Sequence, residues 1–355
     1  AITKPLSTAL RRRDWARVRR ELNNTARTFR LSYTRDQVVI LGCAPFDARL
    51  LLFHILARRH RFFSHTSWAE WAGGPVPKRP RWPGVRAWWK AWFRHNCHGV
   101  FAVSQRSMLT LGRFIRHPIP GVVVHHALTP DFHAQGREDP PRAGTLRLIY
   151  VGRLVPSKGM DELLATMDRL DPERFHLTIV GYGALAERMR AACAERPHCT
   201  FRGRIQGPAA MAECYRQHDV LLLPSLRTHK WQELFGMVII EAMACGLIPI
   251  CTDHVGPCEI LAGTSTPVQG EQPAGFLSSE AAFVETAVQR CRQLAADPDC
   301  RAIKRSAALA AAADYRDSAI ARRWEALLAT QLDPVRQHST RASRRSGYPS
   351  CPPAH

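Results

Sequence analysis

LRLIYVGRLVPSKGMDELLATMDRL, residues 146–170, decides the fold of this chain. It reads as an apolar strand, a polar turn with glycine, and a helix for which Ser157 is a candidate N-cap. The alternation continues downstream with the strands FHLTIVGYG, CTFRGRI, DVLLLPSL and IPICTDH and the helices ALAERMRAACAE and AAMAECYRQH. Apolar strands that alternate with helices predict a parallel sheet in a doubly wound α/β domain.

The first half of the chain shows a looser form of the same pattern. DQVVILGCAPF, HGVFAVSQ and GVVVHHALTP are predicted strands, and DARLLLFHILARRH is a predicted helix. A Pro- and Gly-rich loop interrupts them, and a second polar stretch at 134–144 is a predicted linker. We therefore expect a domain at 1–140, a second at 141–305, a helix at 306–333 that returns to the first domain, and a disordered basic tail at 334–355.

Composition restricts the class of protein. No apolar run in the 355 residues approaches the ~20 needed to cross a bilayer. Eleven cysteines without metal-ligand spacing indicate reduced thiols, which predicts a cytoplasmic location. The net charge of +20 is concentrated in residues 1–140, which hold 24 Lys/Arg against 8 Asp/Glu. Such a basic domain favours an anionic membrane surface as partner; nucleic acid is disfavoured because only charge, and no recognition module, points to it.

ELFGMVIIEAMACG, residues 233–246, places two carboxylates around a Phe-Gly pair. We expect Glu233 in a loop and Glu241 about a turn and a half into a helix that Gly236 opens. The free N–H groups of a helix start suit a phosphate, and carboxylates suit sugar hydroxyls. The alternative is an amphipathic helix whose two glutamates are merely favoured by the dipole and by solvent.

Three glycine-containing strand ends precede this segment. VGRLVPSKG sets Gly152, Arg153 and Lys158 after a strand, where two cations could neutralise a diphosphate. IVGYG and FRGRI could let a flat base lie against the backbone. Ordinary turn chemistry and solvated cations are the alternative explanation for each segment taken alone.

Taken in order, these segments resemble the C-terminal domain of glycosyltransferase family 4. The matching text is VGRLVPSKG, IVGYG, FRGRI, DVLLLPS, ELFGMVIIEAMACG, VGPCEI and AGFL, which covers residues 146–277. The resemblance implies the GT-B fold, with two Rossmann-like domains facing a cleft. It implies a retaining enzyme that needs no metal or cofactor and transfers a hexose from a UDP- or GDP-linked donor to a glycan or lipid-linked acceptor. Cell-surface polysaccharide, lipopolysaccharide or glycolipid synthesis is the implied setting.

The resemblance also implies roles by position. Arg153 and Lys158 would hold the diphosphate and stabilise the leaving nucleotide, Glu233 would contact the transferred sugar, and Glu241 would accept from the ribose. The remaining donor contacts would be Gly152, Gly181, Arg204, Ile205, Phe235, Gly236 and Met237.

The N-terminal half resembles the family less closely. FFSHTSW, 62–68, makes His65 the candidate catalytic histidine. Family members normally begin with a strand and a Gly-rich loop over the donor phosphates, whereas residues 1–35 contain no glycine. We therefore expect an N-terminal domain without that first strand and loop. This departure leaves open an inactive GT-B scaffold that binds membrane; another GT-B enzyme, such as a nucleotide-sugar epimerase, is a further alternative.

Six of the nine tryptophans lie between residues 68 and 92. RPRWPGVRAWWKAWFRHN mixes them with Arg and Lys, as helices at a membrane interface do. The alternative is a core helix that is rich in aromatic residues. With the basic charge of this half, we favour a peripheral contact with the inner face of the cell membrane.

Overall fold

The computed structural model describes residues 15–47, 50–71, 84–133, 145–229, 231–263 and 268–332. Contacts divide the chain into two units, a first unit of Ala1–Ala102, Ser107–Val123 and Arg323–His355 and a second unit of Val103–Arg106 and Val124–Arg322. Residues 124–133 thus group with the second unit and residues 323–332 with the first. The predicted linker at 134–144 and the predicted disordered tail at 334–355 lie outside the described residues.

The second unit contains a seven-stranded sheet. Its strands are β5 (Leu146–Arg153), β6 (Phe175–Tyr182), β7 (Cys199–Gly203), β8 (Val220–Leu223), β9 (Ile248–Thr252), β10 (Gly270–Gln272) and β11 (Gly275–Ser278). Its helices are α5 (Met160–Met167), α6 (Ala186–Ala194), α7 (Pro208–Arg216), α8 (Met237–Ala244), α9 (Val255–Ala262), α10 (Phe283–Ala296) and α11 (Pro298–Ala312). A further helix, α12 (Asp317–Leu332), begins in this unit and continues into residues of the first.

The strand order of this sheet is β10-β11-β9-β8-β5-β6-β7, and β10 alone among these strands runs antiparallel to its neighbour. From β7 to β11 the six parallel strands follow the doubly wound order 3-2-1-4-5-6. The chain reverses its direction of travel across the sheet between β5 and β8, and ligands of such sheets bind beyond the carboxyl ends of the strands at that reversal. The doubly wound sheet predicted from the alternating pattern is confirmed.

The helix after β5 begins later than predicted. Residues Pro156–Lys158 form a single 3-10 turn, Gly159 adopts a left-handed conformation, and α5 starts at Met160. The expectation that Ser157 caps this helix is wrong, because Gly159 occupies the cap position and no side chain caps the helix. The backbone carbonyl of Ser157 instead accepts from the N–H of Leu226 at 2.9 Å.

The first unit holds a four-stranded parallel sheet with the order β1-β2-β3-β4. Its strands are β1 (Val38–Leu41), β2 (Arg61–Thr66), β3 (Cys97–Ala102) and β4 (Gly121–Val123). Its helices are α1 (Trp15–Arg30), α2 (Leu50–Leu56), α3 (Val85–His95) and α4 (Gln105–Ile115), of which α4 starts in residues of the second unit. Trp324 of α12 stacks on Phe101 of β3 with ring centroids 3.8 Å apart.

The tryptophan cluster of this unit is core. Trp71, Trp89 and Trp92 are each 1–2% exposed, and Trp71 lies 5.7 Å from Trp89 between ring centroids. Trp68 and Trp88 are half-buried and pack on the same cluster, while Trp82 lies outside the described residues. The expectation that these rings form an interfacial face is therefore wrong for the described tryptophans, because α3 turns its aromatic side toward the sheet.

A different set of large apolar side chains is exposed. Trp15, Leu22 and Phe29 recur every seven residues along α1, which places them on one helical face, and each is 52–68% exposed. Tyr33, just beyond the helix, is 68% exposed. No helix within the described ranges is long and apolar enough to cross a membrane.

Candidate functional site

The loops after β5 and β8 meet at the reversal point of the second sheet. Gly159 has φ +69°, and a Cβ on it would lie 1.8 Å from the carbonyl oxygen of Pro224. Only glycine allows this approach, because a side chain would collide with fixed backbone and also strain the left-handed conformation. The close approach brings the side chains that follow each strand to a common place.

Lys158 and Glu233 form an ion pair at this place. The side chains are only 10% and 14% exposed, and the Lys158 ammonium also lies 4.6 Å from the ring centroid of Trp231. Because both charges are largely removed from water, their attraction is stronger than that of a surface pair. The predicted loop position of Glu233 is confirmed, and the chain brings it against the lysine that the VGRLVPSKG segment supplies.

Arg153 stands at the carboxyl end of β5 and is exposed. The Tyr150 hydroxyl donates to the carbonyl of Arg153 at 2.9 Å, and burial together with the nearby Glu233 carboxylate raises the pKa of Tyr150. Gly152 pairs with Gly181 across β5 and β6, and a Cβ on Gly181 would lie 2.0 Å from the Gly152 carbonyl oxygen. The absence of side chains at these two positions thus allows the two strand ends to approach closely beside Arg153.

Glu241 lies inside α8, whose first residue is Met237 and whose N-terminal cap is Gly236 with φ +90°. The predicted helix start is therefore confirmed. Tyr215 donates its hydroxyl hydrogen to Glu241 at 3.2 Å. Burial raises the pKa of Glu241, and the hydrogen bond from Tyr215 opposes that shift.

The backbone before α8 is packed against aromatic rings. Phe235 is buried, and its ring stacks on His125 with centroids 5.6 Å apart. A Cβ on Gly236 would lie 2.8 Å from Ile239, and Met237 is half-buried. The segment that the sequence assigns to the donor sugar is therefore held in place by the packing of the Phe235 ring.

Arg204 and Ile205 follow β7. The Arg204 guanidinium lies 4.9 Å from the ring centroid of Tyr182, at the end of β6. Ile205 lines an open cavity of about 400 Å³. The other lining residues are Arg202, Ala210, Glu213, Cys214 and Gln217. The cavity lies between the end of β7 and the length of α7, and its volume is sufficient for a planar base.

His65 belongs to the first unit and lies on β2. It is half-buried, and its ring stacks on Trp324 with centroids 5.7 Å apart and an interplanar angle of 23°. It lines a cavity of about 250 Å³ with residues 42–45 and 66–68, beyond the carboxyl ends of β1 and β2. This is the position at which a parallel sheet binds ligands.

Sequence reasoning missed four polar residues that hold the Glu233 loop. They are Arg227, Asp253, His254 and Glu280. No local signal marks them, because the partners lie 21 to 53 residues apart in the chain. Among the residues that the structure describes, no group of three or more His, Cys, Asp or Glu could hold a metal ion; metal-independence stays a prediction.

Comparison with known proteins finds similarity in the second unit. Residues 145–297 match the model of the family described as glycosyl transferases group 1. The segment is similar to a sulfoquinovosyl transferase of Arabidopsis thaliana, 30% identical over 156 residues, which is 44% of this chain and 28% of that protein. It is also similar to a glycogen synthase of Mycobacterium tuberculosis, 35% identical over 127 residues, or 33% of this chain and 28% of that protein.

Solved structures give the fold. The pneumococcal O-GlcNAc transferase GtfA, in complex with UDP and GlcNAc, has a TM-score of 0.62 at 17% identity and covers 86% of this chain and 59% of its own. Anabaena HepE in complex with UDP has a TM-score of 0.58 at 15% identity, covering 97% of this chain and 82% of its own. The predicted α/β GT-B class is confirmed. The chain spans less than a third of the length of the sulfoquinovosyl transferase and of the glycogen synthase.

Proposed function

We propose that this chain, whose residues 145–297 match the family model of the group 1 glycosyl transferases, is a glycosyltransferase that moves a hexose from a nucleoside diphosphate sugar to a glycan or lipid-linked acceptor. The observation that carries the proposal is the meeting of Lys158 and Glu233 at the reversal point of the second sheet. A cation for the diphosphate and a carboxylate for the sugar hydroxyls stand side by side there, at the place where doubly wound sheets bind nucleotides.

Donor binding follows from the chemistry of the site. The Lys158 ammonium and the exposed Arg153 guanidinium bind the diphosphate, and the glycine strand ends let the phosphates approach the backbone. Glu233 accepts hydrogen bonds from the sugar, and Glu241, held by Tyr215, accepts from the ribose. The cavity beside Ile205 takes the uracil or guanine base.

Transfer breaks the bond between the anomeric carbon and the phosphate oxygen and forms one to the acceptor oxygen on the same face, so the configuration is retained. The two cations stabilise the negative charge that develops on the departing diphosphate, and they do so without reorganising. The acceptor hydroxyl proton passes to the leaving phosphate oxygen.

Release of the nucleoside diphosphate from UDP- and GDP-sugars tests this activity. The wild type releases nucleotide from at least one donor, and Glu233→Gln lowers the rate at least about a hundredfold, as loss of one polar contact made in the transition state does. Glu195→Gln, an exposed carboxylate of the same unit, is the matched control and leaves the rate unchanged. Full activity of Glu233→Gln overturns the site. Donor binding without any release favours the inactive scaffold.

We also propose that this protein binds the cytoplasmic face of the cell membrane, and that α1, instead of the tryptophan-rich helix α3, makes the contact. Trp15, Leu22 and Phe29 are exposed on one face of a helix that includes the exposed cations Arg19 and Arg27. Exposed rings and leucine beside arginine suit the boundary between acyl chains and anionic head groups. This arrangement fits an acceptor carried on a lipid.

Flotation with vesicles rich in anionic lipid tests the membrane contact. The wild type floats with the vesicles at low salt and less at high salt, because the charge contribution is screened. Trp15→Ala combined with Phe29→Ala abolishes flotation. Unchanged flotation of that double variant would show that α1 is not the contact.

A further inference from the structure

Glu233 lies in a stretch of irregular backbone between β8 and α8. Such a loop does not fix the direction of its own side chains through helix or sheet hydrogen bonds. Its geometry must come from residues outside it. The contacts of the Glu233 backbone identify them.

Both backbone groups of Glu233 are bound to the segment that begins α9. Its N–H donates to Nδ1 of His254 at 2.9 Å, and its carbonyl accepts from the N–H of Gly256 at 3.0 Å. A Cβ on Gly256 would lie 2.5 Å from the Phe235 nitrogen, so the two backbones are as close as glycine permits. The imidazole of His254 is fully buried.

The contacts of His254 select one tautomer. Nδ1 accepts from Glu233 and must therefore carry no hydrogen, which leaves the hydrogen of the neutral ring on Nε2. Nε2 lies 3.1 Å from Oε1 of Glu280, and an ionised carboxylate only accepts. Both ring nitrogens are thus satisfied only by the neutral ring with the hydrogen on Nε2.

Glu280 is itself fixed by the other end of the loop. Arg227 donates to the same Oε1 from its backbone N–H and from Nη1, each at 2.9 Å. Its Nη2 donates to Oδ1 of Asp253 at 2.9 Å, and Asp253 also accepts from Gln269 at 3.2 Å. The carboxylate of Glu280 therefore binds Arg227 at the start of the loop directly and Glu233 near its end through His254.

We propose that His254 is a positioning residue for donor binding: neutral, and oriented by Glu280, it holds the Glu233 backbone so that the carboxylate stands at Lys158. Its role in transfer rests on the proposed function. The hydrogen bonds of His254 do not depend on that function, because they form within the chain without a donor. This role adds to the donor site a residue that acts through Glu233.

Protonation opposes this arrangement. A hydrogen on Nδ1 would face the N–H of Glu233, and two donors cannot bond. Burial, followed by the Arg227 guanidinium, lowers the pKa of His254, while the carboxylates of Glu280 and Glu233 oppose the shift. These three charged groups, from the β8–α8 loop and from the turn before α10, surround the ring together with Trp231, whose centroid is 6.2 Å away. The ring is therefore neutral at pH 7. The hydrogen bond from the Glu233 N–H to His254, here called the clamp, weakens as the pH falls below the ordinary pKa of histidine.

Hydrogen–deuterium exchange of the whole chain, followed on peptides that cover residues 226–236, tests the clamp directly. His254→Phe keeps a ring but lacks the acceptor, and it raises exchange in these peptides about fivefold to tenfold, as loss of one hydrogen bond does. His254→Asn keeps an acceptor oxygen close to the position of Nδ1, and its exchange stays near that of the wild type. In the wild type, exchange corrected for intrinsic rate rises as the pH is lowered from 7 to 5; in His254→Asn it does not.

Three results would overturn the proposal. They are unchanged exchange in His254→Phe, equal loosening in His254→Asn, and a wild-type loop that ignores pH. Peptides from β5 and β9 report whether a variant has lost its fold instead. Donor KM measured in parallel rises in His254→Phe and recovers in His254→Asn. A wild type that uses no donor at all would count against the proposed function, while the exchange data would still decide the positioning role.

Discussion

Replacement of Lys158 and Glu233, singly and together, measures how strongly the two groups at the reversal point depend on each other. Removing one member of a pair that is only 10% and 14% exposed leaves the other charge largely desolvated. Such a loss costs about 3–5 kcal/mol of unfolding free energy. Lys158→Met keeps the aliphatic stem but also loses the contact with the Trp231 ring, so we expect about 3 kcal/mol or more. Glu233→Gln keeps an oxygen that can accept from the ammonium, so we expect about 2 kcal/mol.

The double variant removes both charges of the pair, so its loss of unfolding free energy should be smaller than the sum of the two single losses. We expect a coupling energy of about 2 kcal/mol, within the range for contacting residues. Trp231 is the only tryptophan of residues 124–322, so a 5-fluorotryptophan label at this position reports urea unfolding of the second unit by fluorine NMR. The coupling should persist in 0.5 M salt because buried pairs are screened little. Single costs that add within about 0.5 kcal/mol would refute the ion pair as an interacting site.

Four further substitutions probe the rest of the structure. Tyr215→Phe removes the donor to Glu241 and should cost about 1–2 kcal/mol at pH 7.5. Because the raised pKa of Glu241 rises further in this variant, the carboxyl is protonated at higher pH, and the cost in urea unfolding should shrink toward pH 5; an equal cost at both pH values would contradict the contact. Gly181→Ala inserts a methyl 2.0 Å from the Gly152 carbonyl and should destabilise the second unit by about 1–3 kcal/mol, measured at Trp231, whereas an unchanged midpoint would contradict the close approach. Trp89→Ala should cost about 3–5 kcal/mol in thermal unfolding as a core residue, and Trp15→Ala, 68% exposed, should cost under about 0.5 kcal/mol; equal costs would contradict the burial difference.

Most of the sheet of the second unit could be predicted because β5, β6, β8 and β9 are largely apolar and a segment with glycine or proline follows each of them. The short strand β10, with the sequence GEQ, carries no such signal. The site at its reversal point followed from the order of motifs, which place Lys158 and Glu233 after strands that are neighbours in the sheet. Roles for Arg204, Ile205 and His65 stay predictions, since the structure gives their surroundings and no ligand contact.

The orientation of α3 could not be predicted in the same way. A helix that carries tryptophans on one face and arginine on the other has the same pattern whether its aromatic face meets a sheet or a membrane. Packing decided the case, since Trp89 and Trp92 fill the space against β2 and β3. The His254 network was missed for another reason: a buried histidine and two carboxylates have no fixed spacing, and only the folded chain brings Glu280 to Arg227.

Calorimetric titration of the protein with UDP- and GDP-sugars tests the central claim most directly, that the Lys158–Glu233 site of the second unit binds a nucleoside diphosphate sugar. The wild type should bind one of the two donor classes saturably, and Lys158→Met should weaken that binding at least about tenfold, as loss of a charged hydrogen bond to phosphate does. Arg190→Ala, an exposed cation of the same unit, should leave it unchanged. Absence of binding for every donor, or equal affinity of Lys158→Met, would contradict the claim.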